Sequence, residues 1–196
     1  MILLLLLLQV VADAPATTKG ESPKFVRKLS QAKLEPSLLG SDWKPVEGLV
    51  VDDVATFDFA KALPANLAGQ LQQTLKASGI TSVGSYCIAR KDFPPDAVTV
   101  EVYVFADEDK CNVWWKKKYQ STDWQKSYRT VASPNMTTLD TVDNNEFPNN
   151  KRIAKFGNQV VLSGHIRKSD EHLKALENIL EQLTSKEQEA DTMGKQ

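Results

Sequence analysis

The strongest structural signal in the sequence is a run of alternating valines near its middle. Every second residue from Val98 to Val104 is a valine, and β-branched or aromatic residues dominate the positions between. This period of two is typical of a strand with one buried face. A second such segment, Val83–Arg90, precedes it, and the linker between the two contains Pro94 and Pro95, which cannot continue a strand. The sequence therefore predicts an antiparallel hairpin.

Helices are predicted on both sides of this hairpin. Leucines at a four-residue spacing predict a helix from Pro64 to about Ser78, which Gly79 ends. A second helix is expected from Glu108 to Tyr119, with Asp107 as its N-terminal cap. A third is expected from Ser169 to about Thr184, where four leucines form a stripe that indicates core packing.

Further extended segments complete the predicted fold. Residues 46–59 are interpreted as extended, and residues 152–162 as a second hairpin around Gly157–Asn158. The segment 133–150 is interpreted as a long loop, or as a loop with one edge strand, and residues 25–39 as a possible short helix. The predicted fold class is α+β. Helices are expected to pack on an antiparallel sheet. The elements are expected to form a ferredoxin-like β-α-β-β-α core plus a late hairpin and a C-terminal helix.

The N-terminus indicates export. Ile2–Leu8 is an unbroken apolar run, too short to span a membrane but suited to a signal peptide. Cleavage before Thr17 follows from Ala14 and Ala16, although no basic residue precedes the run. The predicted organisation is a signal peptide at 1–16, a partly flexible leader at 17–42, a single α+β domain at 43–184 and a disordered tail at 185–196.

Charge narrows the classes of partner. Removal of the predicted signal peptide would also remove Asp13. The 25 acidic residues would then become 24 and equal the 24 basic residues. A formally neutral chain argues against nucleic acid as a partner. No lipid-attachment cysteine follows the apolar run and no transmembrane segment is expected, so the predicted location is secreted or periplasmic.

The two cysteines are candidates for one disulfide. Cys87 lies in the first strand of the predicted hairpin, and Cys111 opens the helix that follows the second strand. In an oxidising compartment this arrangement predicts a Cys87–Cys111 bond, against the alternative of two buried thiols.

No catalytic, cofactor or metal motif is present in the sequence. His165 and His172 are the two histidines, and their spacing fits no zinc motif, so both are interpreted as surface or half-buried residues. A Cys87–His165 pair is a weaker interpretation than core burial of the cysteine. The acidic segment from Asp140 to Glu146 offers oxygen ligands for calcium, but it lacks the spacing of an EF-hand. No catalytic residue, metal ligand or cofactor is therefore predicted.

One segment combines basic and aromatic residues and is a candidate binding patch. This combination can bind anionic polymers; the alternative is that the aromatic residues face the core while the lysines face solvent. The candidate residues are Trp115, Lys116, Lys117, Lys118, Tyr119, Trp124, Lys126 and Arg129. Asn135 begins an Asn-Met-Thr glycosylation sequon in the predicted loop.

These observations favour an exported, non-enzymatic α+β domain that binds a partner or ligand. The partner is unspecified, and an anionic polymer or another envelope or extracellular protein fits the patch. The alternatives are a small secreted enzyme of the hydrolase type, with an acidic or Cys–His site, and a structural envelope component. A deep cleft lined by titratable groups would favour the enzyme, and a large exposed apolar or aromatic patch would favour binding.

Overall fold

The computed structural model describes residues 24–90, 96–119, 128–133, 136–141, 150–167 and 169–184. Within these residues one antiparallel sheet of eight strands organises the chain. The strands are β1 (Lys44–Val46), β2 (Val50–Val51), β3 (Ile80–Arg90), β4 (Asp96–Phe105), β5 (Tyr128–Ser133), β6 (Met136–Thr141), β7 (Asn150–Phe156) and β8 (Gln159–His165).

The strand order is β1-β3-β4-β8-β7-β6-β5, and β2 also pairs with β3. Every pairing is antiparallel. In the middle of the sheet Val98 lies opposite Ile88 on one side and opposite His165 on the other. Both predicted hairpins are present, β3–β4 and β7–β8, and they meet where β4 pairs with β8. The fold is therefore α+β with an antiparallel sheet, as the sequence predicts.

Four helices accompany the sheet in the described part of the chain. They are α1 (Phe59–Ala62), α2 (Ala65–Ala77), α3 (Glu108–Tyr119) and α4 (Glu171–Thr184). Gly79 ends the α2 region with a φ of 72°, which glycine adopts more readily than other residues. Asp107 caps α3, since its carboxylate accepts the Lys110 N–H at 2.7 Å.

The sheet separates two cores because side chains alternate between its faces. The first core lies under α4, where Leu176, Ile179 and Leu183 pack against the buried valines of β4. The second core lies under α2 and α3, where Leu75, Cys111 and Trp115 are among the buried residues. The alternating valines of β4 therefore face α4, while Tyr103 and Phe105 face α3.

The extended structure predicted for residues 46–59 is wrong for most of its length. Only β1 and the two-residue β2 form in this region, and α1 begins at Phe59. Asp53 is the reason: its carboxylate accepts the Ala55 N–H at 2.8 Å, and its carbonyl accepts the Phe57 N–H at 3.0 Å. These bonds turn the chain before a longer strand can form.

Two other segments differ from their interpretation. Residues 25–39 contain two short 3₁₀ turns, Leu29–Gln31 and Pro36–Leu38, in place of one helix. The segment from 128 to 141 contains β5 and β6, paired with each other, where a loop with at most one strand was expected from residue 133 onward. Residues 142–149 lie outside the described residues, as do the predicted signal peptide and the tail.

In the described residues no helix has the length and apolar character needed to cross a membrane.

Candidate functional site

A cleft of about 940 Å³ opens beside the first described residues. One wall is the segment 24–29, which is held in place at both ends. The Val26 N–H donates to the Leu183 carbonyl at 3.0 Å, and the Tyr86 hydroxyl donates to the Leu29 carbonyl at 2.6 Å. Because these anchors belong to α4 and β3, the wall is fixed to the end of the first core.

The opposite wall of the cleft comes from three segments. Asp52 and Asp53 follow β2, Asp107 and Glu108 lie at the start of α3, and residues 157–159 form the β7–β8 turn and the first position of β8. These segments meet here because β2, β4 and the β7–β8 hairpin all end at the same end of the sheet. The cleft is therefore assembled from segments that are distant in sequence.

The charges on the two walls are opposite in sign. Lys24, Arg27 and Lys28 lie on the first wall, and the four acidic residues lie on the second. Asp52 accepts hydrogen bonds from the backbone N–H and the hydroxyl of Ser30, which ties part of the acidic wall to the first. The pKa of Asp53 is lowered chiefly by its bond from the Ala55 N–H, so this carboxylate stays charged.

Arg27 lines this cleft and carries a buried donor. Its Nε has no hydrogen-bond partner among the described residues. A buried donor without a partner costs free energy. Phe25, Val26 and Val104 supply apolar surface in the same cleft.

A second polar cluster lies at the opposite end of β4 and β8. Asp96 begins β4 and His165 ends β8, and their side chains are almost fully buried, at 0% and 1% exposure. The His165 Nε2 lies 2.7 Å from Asp96 Oδ1. The other Asp96 oxygen, Oδ2, lies 3.2 Å from Arg90 Nη2 and 3.5 Å from Arg167 Nε.

His165 also faces the start of α4. Its Nδ1 lies 3.6 Å from Glu171 Oε2, too far for a normal hydrogen bond, and has no hydrogen-bond partner among the described residues. Trp43 packs beside the imidazole at 6.0 Å between ring centroids, and the Arg90 guanidinium lies 5.2 Å from the Trp43 ring centre. Asp96, His165 and Glu171 can place one ligand atom each within 4.8 Å of one another.

The predicted Cys87–Cys111 disulfide is not supported, since both cysteines are free. The register explains why: the end of β4 lies opposite Ile80, which is seven positions from Cys87 along β3. At about 3.3 Å per residue, those positions separate Cys87 from the start of α3 by about 23 Å. Burial raises the pKa of Cys111 to about 11 and also raises the pKa of Cys87.

The Cys87–His165 pair does not form either. His165 pairs with Val98 and shares its face, which belongs to the first core. Cys87 lies between Tyr86 and Ile88, which both point into that core, so its own side chain is on the opposite face.

The candidate binding patch is divided by the structure. Trp115 and Tyr119 are buried in the second core, whereas Lys116, Lys117 and Arg129 are exposed. Lys118 lies over the Trp114 ring, 4.5 Å from its centre, and burial lowers its pKa. Trp124, Lys126 and the sequon residue Asn135 lie outside the described residues.

The acidic segment considered for calcium is only partly described. Asp140 makes a two-point contact with Arg152, at 2.6 Å to Nε and 2.9 Å to Nη2. This carboxylate is therefore occupied by an arginine. His172 is buried, and its Nδ1 lies 3.0 Å from the Ser169 carbonyl.

Neither the cleft nor the Asp96–His165 contact was predicted from the sequence. Asp96 and His165 are 69 positions apart, and only the β4–β8 register brings them together. The available signal was an acidic residue at the start of one apolar strand and a histidine at the end of another, which is too common to identify a site.

No protein-family model matches the chain, and no curated protein matches it. Among solved structures, the chain is similar to the extracellular domain of PknH from Mycobacterium tuberculosis. The TM-score is 0.49 at 13% identity, over 84% of this chain and 98% of that one. It is also similar to a GTP binding regulator from Thermotoga maritima, with a TM-score of 0.45 at 13% identity, over 84% of this chain and 95% of that one. At these scores the likeness assigns neither a ligand nor a reaction.

Proposed function

We propose that this chain is an exported, non-enzymatic binding domain whose cleft accepts a short peptide carrying both a carboxylate and a cationic group. The observation that carries the proposal is the opposite charge of the two cleft walls, with Lys24, Arg27 and Lys28 on one wall and four acidic residues on the other. The volume of about 940 Å³ is within the range of ligand-binding clefts.

Arg27 supports the anionic part of the ligand. It lines the cleft, and a carboxylate is the acceptor that suits a guanidinium best. The backbone N–H of Arg27 is occupied by the Leu183 carbonyl, so the main chain at this residue stays fixed when a ligand binds.

Asp53 and Asp107 support the cationic part. Each carboxylate accepts a backbone N–H of its own turn, from Ala55 and Lys110 respectively. A carboxylate has about four acceptor sites, so both can accept further donors. An ammonium or guanidinium group can therefore be bound on this wall, while apolar ligand atoms pack on Phe25 and Val104.

Two observations weigh against a Cys–His hydrolase. Cys87 and His165 lie on opposite faces of the sheet. Burial raises the pKa of both thiols, which favours the unreactive protonated form.

The proposed export rests on the apolar run Ile2–Leu8, and mass spectrometry of the secreted protein should find a chain beginning at Thr17. Retention of Met1 in the secreted protein would remove the basis for export.

The binding proposal is tested by titrating the full chain with the tripeptide lysyl-valyl-glutamate while recording amide NMR spectra. The expected shifts map to residues around the cleft, including Val104, Gly157 and Asn158. Arg27→Gln should weaken binding by about tenfold or more, since a charge-assisted hydrogen bond is lost. A tripeptide of the same length with uncharged side chains and blocked termini should bind more weakly. Equal affinity in wild type and Arg27→Gln would reject the cleft as the site.

A second candidate is the binding of an anionic polymer to the exposed lysines of α3. Lys116 and Lys117 face solvent at the C-terminal end of this helix, and Arg129 is also exposed. The double change Lys116→Gln and Lys117→Gln should reduce retention on an anionic polysaccharide column, and Arg27→Gln serves as its control. Unchanged retention of the double variant would exclude this surface.

A further inference from the structure

We propose that His165 and Glu171 form a binding site for a divalent metal ion of the zinc type, with Asp96 fixing the orientation of His165. The site lies at the junction of β8 and α4, on the first-core face of the sheet and away from the cleft. Imidazole nitrogen and carboxylate oxygen are both ordinary zinc ligands.

Asp96 occupies one nitrogen of His165. Its Oδ2 faces Arg90 and Arg167, and its Oδ1 lies 2.7 Å from His165 Nε2. In the proposed site Nε2 donates to this carboxylate, and Nδ1 supplies the lone pair for the metal. A histidine that donates one N–H to a carboxylate and binds metal through its other nitrogen is a common arrangement.

The other ring nitrogen, Nδ1, lies near a second carboxylate. Glu171 Oε2 lies 3.6 Å away, and Nδ1 has no hydrogen-bond partner among the described residues. A metal ion between these two atoms would provide a partner for both. A zinc ion about 2.0–2.1 Å from both atoms would make an angle of about 120°, close to tetrahedral. A bridging water about 2.8 Å from both would need about 80°, which is narrow for its two hydrogens.

The surroundings supply a partly closed site with one side open. The His165 side chain is 1% exposed, whereas that of Glu171 is 33% exposed, so solvent and metal can enter past Glu171. Arg90 and Arg167 contact the far oxygen of Asp96, so this carboxylate lies between the two arginines and His165. Ser163 Oγ is a second buried polar atom without a partner among the described residues, two positions before His165 on the same face of β8. Water would complete the coordination.

The experiment uses the full chain after treatment with a chelator. Zinc is added near pH 7.5 and binding is followed by calorimetry and by ¹⁵N NMR of the histidine rings. We expect one equivalent to bind, with a large shift of His165 Nδ1 and a retained proton on Nε2. Glu171→Gln should weaken binding by at least about tenfold. Glu181→Gln removes an exposed charge from the same helix and should leave binding unchanged.

A second variant keeps the test decisive. Glu171→His replaces the carboxylate with a second imidazole of similar reach, another ordinary zinc ligand, so it should retain the binding that Glu171→Gln loses. Protonation of both ring nitrogens without zinc binding would show that a proton lies between His165 and Glu171, and would overturn the proposal. Shifts confined to His172, or equal affinity in wild type and Glu171→Gln, would overturn it as well.

Discussion

At the scale of single residues, burial controls the protonation of His172. This histidine begins the buried face of α4, and burial is the largest influence that lowers its pKa. The Ser169 carbonyl and Asp170 act in the opposite direction, while Arg152 and His165 lower the pKa further. The folded state therefore prefers neutral His172 more strongly than the unfolded state does.

This preference makes stability depend on pH. A histidine with a lowered folded pKa contributes its full stabilisation above the unfolded pKa of about 6.5, and loses it as pH falls toward the folded pKa. Urea unfolding at about pH 7.5 and pH 5.5 should show a loss of unfolding free energy in the wild type. His172→Gln should lose less over the same interval, since it removes this titration and leaves the other groups in place. Equal losses would contradict the interpretation.

Single residues were also where sequence reasoning was weakest. The sequence predicts both histidines as surface or half-buried residues because no motif surrounds them, yet His172 is buried and the His165 side chain is 1% exposed. The His165 partners Asp96 and Glu171 lie on another strand and on the next helix. Residue spacing does not contain this information, because the contacts depend on which strands pair and in which register. The Arg27 site was missed for the same reason.

At the scale of elements, a long regular spacing of apolar residues predicts the helices and strands correctly. The valine alternation gave β4, the four-residue leucine spacing gave α2, and the leucine stripe gave α4. Short elements were less predictable. Residues 54–59 alternate like a strand, but the hydrogen bonds of Asp53 stabilise a turn instead. The β5–β6 hairpin was missed because its threonine- and polar-rich strands resemble a loop in composition.

The leucine stripe of α4 allows a direct test of how the first core is stabilised. Leu176 is fully buried among the valines of β4, so Leu176→Ala leaves a cavity in addition to the lost apolar contact. The expected loss is about 2–5 kcal/mol of unfolding free energy. Leu67→Ala makes the same chemical change at a position of α2 that is 49% exposed, and should cost under about 1 kcal/mol. Denaturant unfolding of both variants measures the difference, and similar losses would show that the stripe is not the main core contact.

At the scale of the whole molecule, one sheet joins two cores. The β4 strand contributes Val98, Val100 and Val102 to the first core and Phe105 to the second. If β4 left the sheet, buried side chains of both cores would be exposed. The arrangement therefore predicts that both cores unfold together, as expected for a cooperative unit.

Cys111 can report this coupling because it lies in the second core while Leu176 lies in the first. The Cys111 thiol is fully buried, and burial raises its pKa to about 11, so alkylation requires opening of the structure. In a Cys87→Ser background only Cys111 can react. If the cores unfold together, Leu176→Ala should raise the Cys111 alkylation rate by about thirtyfold or more, in proportion to its loss of stability.

The matched control is Leu67→Ala in the same background, for which the rate should change little. If the Cys111 alkylation rate is the same with and without Leu176→Ala, the region around α3 opens by itself while the first core stays intact. That outcome would also bear on the candidate patch, because Trp115 and Tyr119 belong to the same helix and become accessible only when α3 leaves the sheet. Coupled unfolding would instead keep both aromatic side chains inside the folded protein, and would leave Lys116 and Lys117 as the surface that α3 presents to a partner.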